Sequence, residues 1–175
     1  MDSSTVRIYE KSGILFRKPE IKDGTGIYTL VKRSKPLDVN SLYSYLLLSA
    51  HFADTCIVAE FQGDIVGYIS GYIPPGIDNT LFVWQVAVSE KVRKKGVAIS
   101  MVKALLQRPC LSGIQWIDTT VTPSNEASTR LFQSLARLLN TSLDTLVFFT
   151  QDLFEGSSHE EEVLFRLGPF SRESD

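Results

Sequence analysis

The run Arg93-Lys94-Lys95-Gly96-Val97-Ala98 constrains the fold of this chain most, because it joins two segments of different periodicity. Before it, Leu81-Phe82-Val83-Trp84-Gln85-Val86-Ala87-Val88 is rich in β-branched and aromatic residues and predicts a strand. After it, Met101, Val102, Leu105 and Leu106 fall at helical spacing within Ile99 to Leu106. A basic, glycine-containing turn that feeds a helix N-terminus suits an anion. Backbone N–H groups can point outward there, the helix dipole favours negative charge, and glycine keeps a Cβ out of the way. The turn therefore predicts a phosphorylated ligand, although a solvated basic turn would have the same sequence.

Bulk properties narrow the class mainly by exclusion. At 175 residues the chain is most simply one domain, 1–175, with loose ends at 1–14 and 171–175. Its 43% hydrophobic and 22% charged residues are ordinary for a soluble globular protein. The formal net charge of −2, from 18 basic and 20 acidic residues, gives no basic surplus for nucleic acid or an anionic membrane. Cys56 and Cys110 are too few for a disulfide framework or a four-cysteine zinc site. Met1 to Tyr9 carries no apolar signal core, and no run of about 18 apolar residues predicts a membrane span. The expected compartment is the cytoplasm.

The first twenty or so residues lack clear periodicity and are expected as a lead-in. Gly26 to Lys32 has strand character, and Asn40 or Ser41 can cap a helix from Ser41 to Phe52. Thr55 to Glu60 and Ile65 to Ile73 are strands about the turn Gln62-Gly63-Asp64, a hairpin. Pro74-Pro75-Gly76 precedes the strand that ends at Val88, and the helix after the basic turn stops near Arg108-Pro109. Gln115 to Val121 is a fifth strand, followed by Thr122-Pro123-Ser124-Asn125 and a helix from about Glu126 to Leu139. Leu146 to Thr150 and Val163 to Leu167 are the last strands, with loop at Glu155-Gly156-Ser157-Ser158. The order β-α-β-β-β-α-β-α-β-β predicts an α/β fold with a central sheet.

Two features combine: strand, basic glycine turn, helix; then strand, Thr-Pro-Ser-Asn, helix with Leu131-Phe132. Together they resemble the GCN5-related N-acetyltransferases. That resemblance implies a mixed central sheet with a splayed strand pair flanked by helices, and acetyl-CoA as co-substrate. It implies that the backbone of Val86 and Val88 holds the pantetheine arm as an added strand would. Arg93, Lys94, Lys95, Gly96, Val97 and Ala98 would surround the pyrophosphate, and Asn125 would meet the pantetheine from the far side; Ser128, where alanine is common, is a departure that could add a hydroxyl contact to CoA. Many members carry tyrosine seven positions after the asparagine, to protonate the departing thiolate. Here Phe132 stands there, so that proton has another source, or the thiolate leaves without it.

Pro36-Leu37-Asp38-Val39-Asn40-Ser41-Leu42-Tyr43-Ser44-Tyr45-Leu46-Leu47-Leu48, Gly67 to Tyr72, Phe82 to Val88, Thr119 to Asn125 and Arg166 to Phe170 extend the likeness. In these segments the chain resembles the members that acetylate the 4-amino group of L-2,4-diaminobutyrate, from about Leu15 to Phe170. The likeness implies a bacterial role on the route to the osmolyte ectoine, under osmotic stress, and a homodimer. Another small diamine or amino acid as acceptor, or CoA binding without turnover, stays open.

Transfer of acetyl to such a substrate needs acidic groups to place ammonium ends, a fixed approach to the thioester, and loss of an ammonium proton. Asp38, before the first helix, is a candidate substrate ligand, or simply a charge favoured by the helix dipole. Tyr43 can offer its hydroxyl, or be a buried aromatic. Trp84 can stack on a cation and donate its N–H, or be core. Glu162 is favoured by the resemblance as a substrate ligand and, with Trp84, as part of the reacting centre. Strand alternation would put Glu160 on its face if the strand has already begun. His159 can relay a proton or be merely exposed. Cys56, among apolar neighbours, is expected to be buried rather than an acetylated nucleophile, so transfer is expected to be direct, within a ternary complex.

Overall fold

Gly24–Lys32, expected as a strand from Gly26, is a helix. Its β-branched residues misled local propensity, whereas Ile27, Leu30 and Val31 fall at helical spacing and are all buried. They pack with Tyr45 and Leu48 of the following helix. A Cβ at Gly24 would lie 2.6 Å from Leu46 Cδ2, so glycine sets how closely the two helices approach.

The structure is a computed structural model describing residues 9–11, 13–155 and 159–171. In chain order its elements are β1 (Tyr9–Lys11), β2 (Ile14–Arg17), α1 (Gly24–Lys32), α2 (Leu42–His51), β3 (Ile57–Phe61), β4 (Asp64–Tyr72), β5 (Thr80–Val88), α3 (Val97–Leu106), β6 (Trp116–Val121), α4 (Glu126–Leu138), β7 (Leu143–Phe149) and β8 (Glu162–Leu167). The expected lead-in therefore holds two strands of three and four residues, too short for a period to be read. Gly156, Ser157 and Ser158, expected as loop, lie outside the described residues, as do 1–8 and 172–175 of the expected loose ends.

The chain divides into two compact units, Met1–Gly71 with Gln85–Ser112, and Tyr72–Trp84 with Gly113–Asp175; β5 gives part of itself to each. In the first unit β1, β2, β3 and β4 are antiparallel neighbours in that order. The β3–β4 hairpin turns at Gln62 (φ 51°) and Gly63 (φ 84°), the two positive φ values that a two-residue turn between twisted strands requires. Val58 and Tyr68 pair in register and pack with α1 and α2. One residue along, Ala59 pairs with Gly67, where a Cβ would come within 3.0 Å of Met101 of α3. By strand alternation, α1 and α2 cover one face of this sheet and α3 the other.

In the second unit Thr80–Phe82 of β5 runs parallel to Trp116–Asp118 of β6; β8 is antiparallel to both β6 and β7. The β5–β6 ladder ends at Phe82 and Asp118, although the strands run on to Val88 and Val121. Arg166 faces Asp118 in register and donates from Nε and Nη2 to its two carboxylate oxygens, at 2.9 and 2.6 Å. Phe132, Leu135 and Ala136 form the buried stripe of α4, whereas Leu146 to Phe149 of β7 are exposed. Among the described residues no helix is long and apolar enough to cross a membrane.

Candidate active site

After Val88 the backbone makes a 3-10 turn at Glu90–Val92, is extended at Arg93, and enters the left-handed region at Lys94 (φ 63°) and Gly96 (φ 72°). Gly96 is the N-cap of α3, and no side chain caps that helix. The Ser100 N–H donates to the Gly96 carbonyl at 2.9 Å, closing the helix's first turn. The first N–H groups of α3 thus have no side-chain acceptor from a cap, which suits an anion at that end. A Cβ at Gly96 would meet no protein atom within 4 Å. Glycine is required here by its φ, and the space beside its Cα is open to a ligand.

Lys94, Lys95 and Gly96 are exposed. Arg93 instead braces the turn: its Nε donates to the Val88 carbonyl at 3.2 Å, and its Nη1 donates to Glu90 Oε1 at 3.1 Å. The Val88 carbonyl, expected to help hold pantetheine, therefore already has a donor.

Along β5, Val83, Gln85 and Ala87 are buried, and the intervening Trp84, Val86 and Val88 are more open. Trp84 is 46% exposed and Tyr43 67% exposed, so neither is the core aromatic that its sequence also allowed. Asp38 is exposed in the loop before α2. Ser41, rather than Asn40, caps α2, its side chain accepting from the Ser44 N–H. The Asp38 carbonyl accepts from Nε2 of Gln85 at 2.7 Å, which ties the loop to β5 beside Val86. Gln85 went unnoticed in the sequence; the available signal was a polar residue at a buried phase of an apolar strand.

The second unit assembles another group of candidates. Asn125 caps α4, its Oδ1 accepting from the Ser128 N–H at 3.1 Å, which leaves the amide as the donor half of its side chain. Ser124, next to it, donates its N–H to Glu160 Oε2 at 3.1 Å, and its hydroxyl bonds to Glu160 Oε1. β8 begins at Glu162, so the strand has not begun at Glu160 and the condition for the two to share a strand face is not met.

His159 stacks on Phe154, with ring centroids 4.2 Å apart, and its Nδ1 lies 2.6 Å from the Glu160 carbonyl. A carbonyl only accepts, so Nδ1 carries a proton. In the neutral ring the Nε2 lone pair then faces Glu162 Oε1, at 3.6 Å. With the imidazole protonated the two form an ion pair. His159 is not the merely exposed histidine that sequence allowed.

Phe132 is 2% exposed, a core residue of α4. Cys56 is fully buried, its Sγ 3.7 Å from the Gly71 carbonyl, and burial pushes its thiol pKa up. A thiol held protonated and away from solvent is a poor nucleophile. Cys56→Ala will retain kcat within about twofold, with a stability loss of about 1 kcal/mol for a small buried group. Steady-state kinetics on the folded variant checks this; a loss of turnover with the fold intact would implicate the thiol.

An open left-handed turn at an uncapped helix N-terminus suits a phosphorylated ligand. The chain belongs to the acetyltransferase (GNAT) family, whose model matches residues 25–136. It is 47% identical over 161 residues to the L-2,4-diaminobutyric acid acetyltransferase of Chromohalobacter salexigens, covering 91% of this chain and 83% of that one. To the enzyme of the same name from Marinococcus halophilus it is 43% identical, over 91% of this chain and 92% of that one. Among solved structures it is similar to the diaminobutyrate acetyltransferase EctA of Paenibacillus lautus, in complex with L-2,4-diaminobutyric acid and coenzyme A. The TM-score is 0.87 and the identity 42%, covering 93% of this chain and 98% of that one. The mixed sheet with flanking helices expected from the sequence is the fold of this family.

Proposed function

We propose that this chain transfers acetyl from acetyl-CoA to the 4-amino group of L-2,4-diaminobutyrate, giving N4-acetyl-L-2,4-diaminobutyrate. The observation that carries the proposal is its likeness to the Paenibacillus lautus enzyme, solved with that amino acid and coenzyme A. Acetyl-CoA supplies an activated acyl group on a thiolate leaving group. The residues present fit it: Gly96 leaves open space at the uncapped start of α3, with Lys94 and Lys95 exposed beside it. In this reading Lys94 to Ala98 take the pyrophosphate and Arg93 keeps the turn in shape. Val86 and Val88 line the pantetheine arm, and Asn125 offers its amide and Ser128 its hydroxyl to the same arm.

Transfer is direct, within a ternary complex. The 4-ammonium gives up one proton, its freed lone pair adds to the thioester carbonyl, and the nitrogen loses its second proton to solvent as the amide forms. The C–S bond then breaks and CoA leaves as thiolate. Asp38 and Tyr43 hold the amino-acid end of the substrate, Trp84 sets the angle of approach, and Glu162 meets the ammonium to be deprotonated, with His159 sharing the proton. Phe132 has no proton to give, and a thiol with a pKa near 8.5 leaves as thiolate without an internal acid. The whole of 1–175 works as one acetyltransferase domain. Cytoplasmic placement on the bacterial route to ectoine, under osmotic stress, and a homodimer belong to the same proposal; sedimentation at micromolar concentration tests the dimer.

Chain length of the acceptor tests the substrate assignment. Each added methylene displaces one amine from its partner, so kcat/KM for ornithine and lysine will fall at least about tenfold below that for diaminobutyrate. Equal turnover of all three would reassign the chain to a general small-amine acetyltransferase.

A further inference from the structure

Gln85 is 7% exposed, in a strand whose other inward residues, Val83 and Ala87, are apolar. Both ends of its carboxamide are engaged. Nε2 donates to the Asp38 carbonyl at 2.7 Å, and Oε1 accepts from the Tyr45 hydroxyl at 3.2 Å. The Tyr45 oxygen in turn accepts from the Asn40 N–H at 3.3 Å. The orientation is forced, because the Asp38 carbonyl can only accept and so must face the NH2 half. Tyr45 is itself fixed, its ring edge-on to Tyr28 and Tyr68 with centroids 6.3 and 6.1 Å away. Burial pushes its phenol pKa up, which keeps the hydroxyl a donor.

One carboxamide and one phenol therefore hold two main-chain points, Asp38 and Asn40, of the segment that opens α2 and presents Tyr43. An apolar residue at 85 would continue the buried run of β5 but would leave the Tyr45 hydroxyl without its acceptor and the Asp38 carbonyl without its donor. What glutamine adds is a fixed place for the Asp38 backbone.

We infer that Gln85 is a positioning residue for the amino-acid substrate, holding the Asp38 loop in binding geometry from within β5. This rests on the assignment of Asp38 and Tyr43 to the substrate. Gln85 is buried with both ends of its carboxamide on protein partners, so its loss acts through the loop and on one substrate only.

The test is steady-state kinetics of Gln85→Met, Gln85→Glu and Asp38→Asn. Gln85→Met keeps the length and removes both hydrogen bonds. KM for diaminobutyrate will rise roughly tenfold, while KM for acetyl-CoA stays within about twofold and kcat within about threefold. Gln85→Glu can still accept from Tyr45 but donates to the Asp38 carbonyl only when protonated. Its KM for diaminobutyrate, taken relative to wild type at each pH, will therefore fall as pH is lowered from 8 to 6, and it carries the test if the methionine variant does not fold. The inference is overturned if Gln85→Met raises both KM values alike or leaves that for diaminobutyrate unchanged, or if the Gln85→Glu ratio is flat with pH. Asp38→Asn separates the two levels. If it leaves KM for diaminobutyrate unchanged, the assignment of the loop to the substrate fails; if it raises KM and Gln85→Met is silent, only the role of Gln85 fails.

Discussion

Glu162→Gln will lower kcat/KM for diaminobutyrate by about two orders of magnitude, in the range measured for loss of a positioned proton acceptor. KM for acetyl-CoA will move less than about twofold, because the charge removed faces the amine and not the nucleotide. The substitution keeps the shape, removes the charge and replaces one acceptor oxygen by an NH2 donor. Glu162 opens β8 in register with Phe149, its side chain is 18% exposed, and Nε2 of His159 lies 3.6 Å from Oε1. A glutamine there can neither take a proton from the ammonium nor share one with His159. Because His159 is held from its other nitrogen by the Glu160 carbonyl, it cannot turn to compensate without breaking that bond. A variant within threefold of wild type would remove Glu162 from the reacting centre and leave it as a solvated charge.

Gly96→Val will raise KM for acetyl-CoA by about 30-fold, the equivalent of about 2 kcal/mol. A left-handed φ costs a residue with a Cβ about 1–2 kcal/mol, and β-branching adds to it. At φ 72° the valine variant must either bear that strain or reshape the turn. Its methyl groups would also stand in the open space beside Gly96, where no protein atom lies within 4 Å to be displaced. The loss from these methyl groups therefore falls on the ligand, in addition to the strain carried by the turn. Gly96→Ala, smaller and unbranched, will show a weaker effect in the same direction. Isothermal titration with CoA separates this from a general loss of stability. Equal losses for CoA and for diaminobutyrate, or unchanged CoA affinity, would contradict the placing of the pyrophosphate at this turn.

The strand-turn-helix around Gly96 was legible because each part has its own local signal: a β-branched and aromatic run, a glycine in a basic turn, then helical spacing. The same holds for the hairpin at Gln62-Gly63. Gly24–Lys32 was not, since Ile27, Tyr28, Thr29 and Val31 carry strand propensity and the deciding term is burial against Tyr45 and Leu48, far along the chain. Strands β1 and β2 were too short to show a period.

Within the site, Trp84 and Tyr43 could be named from residue type and resemblance, but their exposure needed coordinates. The bond from Ser124 to Glu160 and the facing of His159 and Glu162 are loop contacts with no periodic trace. Gln85 left a trace, one polar residue in an apolar phase, whose meaning depends on Asp38 and Tyr45, 47 and 40 positions before it.

The acetylated product tests the central claim most directly. Purified protein mixed with acetyl-CoA and L-2,4-diaminobutyrate, across a range of salt, should release one free CoA thiol per acetyl group transferred. Proton NMR of the product should show the acetyl group on the 4-amine alone. No thiol release at any salt concentration, or acetyl on the 2-amine, would contradict the account.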